Sequence, residues 1–163
     1  MNTAASIAIQ AKPAIKTPAK PPASAFRPGS PQAGHYARVI RELSKVVGFE
    51  AADEILLGAR LRIDDYLIAF IYDDEFNPNE LAVYVDMGKP GGGDLALAYG
   101  VMLKINFELD AGSRGVISMH PDTGHLFYSF RYPLNAQASG QSLLDTLIRF
   151  IGDFALDAEA VAG

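Results

Sequence analysis

The densest cluster of potentially reactive side chains is the stretch His120-Pro121-Asp122-Thr123-Gly124-His125. Asp122-Thr123-Gly124 spells the DTG of aspartic proteases. His120-Pro121-Asp122 spells the HPD of J-domain co-chaperones. Two histidines with an aspartate between them are also potential metal ligands. Each chemistry makes a demand on its surroundings. An aspartic protease needs two carboxylates facing each other across a large cleft, and a chain of 163 residues with one DTG could supply them only as a dimer. The HPD of co-chaperones lies between two helices. A tetrahedral zinc site needs more ligands than two His and one Asp, and His35 is the only other histidine. The flanks, "GVISM" and "LFYSFRYPL", read as strands. Pro121 suits the second position of a type I turn, Asp122 the next, and Gly124 the left-handed position that closes such a loop. The stretch is therefore read as a hairpin turn, with no catalytic residue and no metal ligand.

Other motifs are weaker. "GKPGGGD" (88–94) inverts the phosphate-loop order: Lys89 precedes the glycines, and Asp94 stands where phosphate would sit. Asp94 instead suits the cap of a following helix. Asp73-Asp74-Glu75 lacks the alternating spacing and the glycine of a calcium loop. No Ser-His-Asp arrangement can be argued. The expectation is a protein that is not an enzyme and uses no cofactor.

Composition narrows the classes further. Cysteine is absent, which rules out disulfides, thiolate nucleophiles and cysteine-bound metal. No apolar run approaches the ~18 residues of a membrane span, and the N-terminal stretch predicts no secretory leader. Residues 1–33 carry Lys12, Lys16, Lys20, Arg27 and no acid; the remainder holds 14 − 4 = 10 basic residues against 19 acidic ones, a balance of −9. So acidic a region repels nucleic acid and anionic lipid. The expected partners exclude both nucleic acid and membrane.

The elements follow from the periodicities. Residues 1–33 hold six of the ten prolines, with much Ala, Ser and Lys, and read as a disordered arm before one domain at 34–160. "HYARVIRELSKVVGF" places Tyr36, Val39, Ile40, Leu43, Val46 and Val47 on one helical stripe, with Gly48 as the stop. "EAADEILLGAR" suggests a short helical turn. Tyr66–Asp73 and Glu80–Gly88 read as strands joined by a loop at "DEFNPN", and Leu61–Ile63 as either an extension of the first or a separate short strand. "LALAYGVMLKINFEL" is a helix apolar almost all round. The hairpin 115–134 follows, then a helix from about Ser139 with a stripe of Leu143, Leu144, Leu147, Ile148, Ile151, Phe154 and Ala155. The order α-β-β-α-β-β-α predicts an α+β domain with an antiparallel sheet packed against three main helices.

This arrangement has surplus apolar surface. Tyr66, Ile68, Phe70 and Tyr72 alternate with Leu67, Ala69 and Ile71, so both faces of that strand are apolar. The central helix has no polar face. A second subunit or a bound polypeptide is the simplest cover. Val39, Leu43, Ile68, Phe70 and Val83 are the candidate partner-binding residues; Leu95, Leu97, Gly100, Val101 and Leu103 are the candidate dimer interface.

With these residues laid out, the chain resembles the class I type III secretion chaperones, the Tir-chaperone family. "LRIDDYLIAFIYD" is similar to that family's first strand region with its acidic kink, and "LAVYVDMG" to the next strand. "LALAYGVMLKINFEL" is similar to its central helix, with Asn106 where the family often has "LLxxN". "GVISMHPDTGHLFYSFRYPL" resembles the late hairpin and "LLDTLIRFIGDFA" the closing helix. The pattern spans about Gly34 to Ala160, and it is the ordered set that carries the resemblance, not one motif. The Pro/Lys arm and the absence of tryptophan depart from it. The resemblance implies a cytosolic bacterial homodimer that binds the N-terminal segment of a secreted effector and keeps it non-globular, without nucleotide. A structural or adaptor domain with a fixed protein partner is the alternative.

Overall fold

The computed structural model describes residues 7–8, 30–90, 95–109 and 115–162, with backbone only at 7–8, 95, 108 and 153–162. The elements are β1 (Ile7–Ala8), α1 (Pro31–Val46), α2 (Ala52–Leu56), β2 (Leu61–Ile63), β3 (Tyr66–Asp73), β4 (Asn77–Gly88), α3 (Leu95–Glu108), β5 (Gly115–Met119), β6 (Leu126–Pro133) and α4 (Gly140–Ala162). Every pairing is antiparallel, and the strand order is β1-β2-β3-β4-β6-β5. The fold is α+β, as the sequence predicts: five main strands, the two-residue β1 at one margin, and helices packed on the sheet.

Local chemistry sets the boundaries. The first helix starts earlier than Gly34. Ser30 is its N-cap, accepting from the Ala33 N–H at 2.9 Å, and Pro31 opens the first turn. Ala33 is already buried. Gly48 ends α1 with φ 71°, while Phe49 N–H donates to the Ser44 carbonyl at 2.7 Å. Leu61–Ile63 is a separate strand. Ile63 pairs with Tyr66 across Asp64-Asp65, and Asp64 takes φ 51°, a conformation aspartate tolerates. Asn77-Pro78-Asn79, expected in a loop, begins β4 instead. The Asp73 carboxylate makes the turn, accepting from the N–H groups of Glu75 and Phe76, both at 3.0 Å. Ser139 caps α4 by accepting from Ser142 N–H at 3.1 Å.

One face of the sheet meets α1 and α4. Ile68, Phe70 and Tyr72 of β3, Leu81, Val83 and Val85 of β4, and Tyr128, Phe130 and Tyr132 of β6 form a single buried cluster with Tyr36, Val39, Ile40 and Leu43 of α1 and Leu143 and Leu147 of α4. Tyr36 stacks on Tyr72, with centroids 4.9 Å apart and planes 15° apart. Phe150 stacks on Tyr128 at 3.5 Å. The Tyr72 hydroxyl donates to Asp74 Oδ1 at 2.7 Å, and Ser30 Oγ donates to the same oxygen at 2.8 Å. That shared acceptor ties the start of α1 to the β3–β4 turn. Burial, together with the Asp74 hydrogen bond, pushes the Tyr72 phenol up to about 12.

The two covering helices touch through their backbones. A Cβ on Gly140 would collide with the Leu43 nitrogen and the Glu42 carbonyl carbon. Gly140 N–H donates to Glu42 Oε2 at 3.0 Å, and Arg38 pairs with Glu42 Oε1 at 3.1 Å. These contacts, the Gly140 N–H first, hold the Glu42 carboxyl below its ordinary value.

Two outcomes are expected. Gly140→Ala should lower stability in urea by about 1–3 kcal/mol, as overpacking does. Gly152→Ala, in the same helix with open space at its Cβ position, should raise it by roughly 0.8–1 kcal/mol. Because folding lowers the Glu42 pKa, its contribution is present above the ordinary carboxylate pKa and lost as pH falls through the folded value. Glu42→Gln should therefore make melting temperature less sensitive to acid than in the wild type, as followed by circular dichroism from neutral to acidic pH.

Candidate partner-binding surface

The His120–His125 stretch is a turn. His120 N–H donates to the His125 carbonyl at 2.8 Å, Gly124 N–H donates to the His120 carbonyl at 2.9 Å, and Gly124 takes φ 69°. The two imidazoles have different engagements. His125 Nδ1 meets Asp86 Oδ1 at 2.9 Å, linking the turn to β4. His120 lies near Phe127, with centroids 6.3 Å apart, and its Nδ1 accepts from Asp122 N–H at 3.2 Å. Among the described residues no three His, Asp or Glu side chains converge as a metal site. Asp94 lies outside the described residues.

The expected partner-binding residues sit on the wrong face for that role. Val39, Leu43, Ile68, Phe70 and Val83 are at most 5 % exposed and belong to the core. A docking molecule does not reach them. The opposite face of the same strands carries Leu67, Ala69 and Ile71 on β3, Tyr84 on β4 and Phe127 on β6, all partly exposed. A shallow groove on it is lined by residues that include Ala69, Ile71, Tyr84, Phe127, Met119 and Arg60. This is the apolar surface that a partner can reach.

The expected dimer residues fall differently. Met102, Ile105 and Leu109 turn toward the core. Leu97, Leu103 and Phe107 point outward at 63 %, 69 % and 90 % exposure. Gly100 is exposed and has open space at its Cβ position, and Val101 is half-buried. The side chain of Leu95 lies outside the described residues. Phe107, which extends the exposed stripe by one turn from Leu103, was not singled out from the sequence; its i+4 spacing was the available signal.

Both margins of the sheet are occupied. At the β5 margin, Asn106 of α3 uses its whole amide: Nδ2 donates to the Ile117 carbonyl at 2.9 Å, and Oδ1 accepts from Ile117 N–H at 2.7 Å. A side-chain amide thus imitates a neighbouring strand and satisfies an edge that would otherwise invite pairing. Tyr99 adds a contact from its hydroxyl to Met119 Sδ at 3.5 Å. At the other margin, β1 pairs with β2 in the register Ile7↔Ile63 and Ala8↔Arg62. The Arg62 Nε is buried and has no hydrogen-bond partner among the described residues.

The arrangement offers apolar docking area on the open face of the sheet and on the outer stripe of α3. No helix among the described residues is long and apolar enough to cross a membrane. In comparison with known proteins, no family model matches the chain and no curated protein matches its sequence.

Asn106→Leu should remove both edge hydrogen bonds and leave the Ile117 backbone unmet. The expected cost is roughly 1–3 kcal/mol, with accelerated amide exchange at Ile117 by NMR. Unchanged exchange there would show that the amide does not protect the edge.

Proposed function

We propose that the chain is a homodimeric chaperone of the type III secretion kind. In the bacterial cytosol it binds the N-terminal segment of a secreted effector and holds it extended. The observation that carries this reading is the apolar surface left outside the core: the stripe Leu97, Leu103 and Phe107 on α3, and the face of Leu67, Ala69, Ile71 and Tyr84 on the sheet. An exposed apolar helix stripe suits a second copy of the chain. An apolar sheet face bounded by strand edges suits an extended polypeptide, whose side chains fill hollows while its backbone adds to an edge. The family resemblance drawn from the sequence, through the element order and Asn106, is what suggests the secretion role. No step of this function calls for a nucleotide, a metal or a catalytic residue.

Self-association by α3 supplies one test. A specific interface buries about 800 Å² per partner. Leu103→Glu with Phe107→Glu should convert a dimer into a monomer in multi-angle light scattering, with melting temperature little changed because both side chains are exposed. A wild type that is monomeric at micromolar concentration overturns the dimer.

Cargo binding supplies the other. Co-expression with the products of neighbouring genes should solubilise one of them. Titration calorimetry with that protein's N-terminal segment should give a large negative heat-capacity change, as coupled ordering demands. Ile71→Asp should weaken binding by about tenfold or more, since a buried apolar side chain is worth roughly 1.5–3 kcal/mol. A partner that binds as a folded globule with negligible heat-capacity change would assign the adaptor role instead.

A further inference from the structure

We infer that the chain's own N-terminal segment is a resident competitor at the outer edge of β2. Ile7–Ala8 occupies the position of an added strand, and an incoming extended polypeptide with an acidic side chain opposite Arg62 displaces it. The inference rests on the proposed use of a sheet edge for strand addition and concerns how that edge is regulated.

The geometry supports each part. β2 is three residues long and pairs on its inner side with β3; its outer side meets β1, which contributes two residues. A two-residue ladder is among the shortest pairings possible, so the occupant is held by few backbone bonds. It is also remote in sequence: residues 9–29 separate it from Ser30, where α1 is capped. A tethered segment of this kind competes through its effective concentration and not through intrinsic affinity. It keeps the edge from open pairing with other chains while remaining displaceable.

The cross-strand register specifies the better ligand. Ile7 shares a register position with Ile63, and Ala8 with Arg62. The Arg62 Nε is buried and finds no acceptor among the described residues, and alanine is a residue type with no side-chain acceptor to give. A carboxylate at that register position supplies the missing acceptor, and opposite charges directly across a sheet attract. The resident strand thus leaves the Arg62 position without a counter-charge.

The test uses the full chain and a fluorescein-labelled synthetic peptide of its residues 2–12, read by anisotropy. In the variant Ile7→Pro with Ala8→Pro, the tethered segment can no longer pair, because proline lacks the N–H that a ladder needs. The peptide should bind this variant about tenfold or more tighter than the wild-type chain, whose edge is occupied from within. A peptide carrying Ala8→Glu should bind the variant a further two- to fivefold tighter, roughly the worth of a cross-strand pair, and Arg62→Ala should erase that gain. Equal binding of the peptide to both chains overturns the competition. A double variant that loses the native melting transition overturns it as well, since the segment would then be an integral part of the fold. A Glu peptide that binds no better overturns the acidic preference. The probe is the chain's own segment, so these results are independent of whether a secreted cargo exists. Failure of the co-expression experiment leaves them interpretable.

Discussion

Gly140 lies against the α1 backbone at Leu43, and the position of both covering helices depends on that contact. A side chain there would push α4 away from α1. The close approach lets the Gly140 amide reach Glu42, so the first turn of α4 is satisfied partly by Ser139 and partly by a carboxylate from another helix. Once α1 and α4 are held together, Leu43, Leu143 and Leu147 close over Ile68, Val83 and Tyr128 as one apolar layer. The Tyr36–Tyr72 stack and the Ser30–Asp74–Tyr72 hydrogen bonds then fix the other end of α1 on the β3–β4 turn.

One helical layer covers one side of a sheet. The strands carry apolar residues on both sides, so closing the core leaves Leu67, Ala69, Ile71 and Tyr84 partly open. The same imbalance recurs in α3. Its Met102, Ile105 and Leu109 find the core, and Leu97, Leu103 and Phe107 do not. A domain built this way retains free energy for association, because burying that area in a second contact is favourable in the same way as burying it during folding. The proposed function is read from this surplus.

The margins of the sheet are treated asymmetrically. At β5 the backbone of the central edge residue, Ile117, is met by Asn106, a side chain held within a helix that also packs on the core. At β2 the edge is closed by two backbone residues from a distant part of the chain. The first contact comes from a helix adjacent in the chain; the second is a two-residue backbone pairing, the one for which strand exchange is proposed.

The sequence by itself determined the order of the main helices and strands after Gly34, the hairpin turn at His120–His125 and the outward surplus of α3. Each depends on local chemistry: alternation in the strands, Pro and Gly in the turn, and a helix with no polar side for solvent. The start of α1 was not legible in this way: the proline-rich composition of residues 1–33 suggests an arm up to Gly34, whereas Ser30 caps the helix and Pro31 opens it. The tertiary structure alone decided which side of β3 became core. Ile68 and Phe70 on one side and Ala69 and Ile71 on the other are all apolar, so alternation cannot rank them, and only the arrival of α1 and α4 breaks the tie. The roles of Asn106 and Glu42 were decided in the same way. Their partners, the Ile117 and Gly140 backbones, lie 11 and 98 residues further along the chain, and a polar side chain carries no mark of a backbone group in another element until the fold brings the two together.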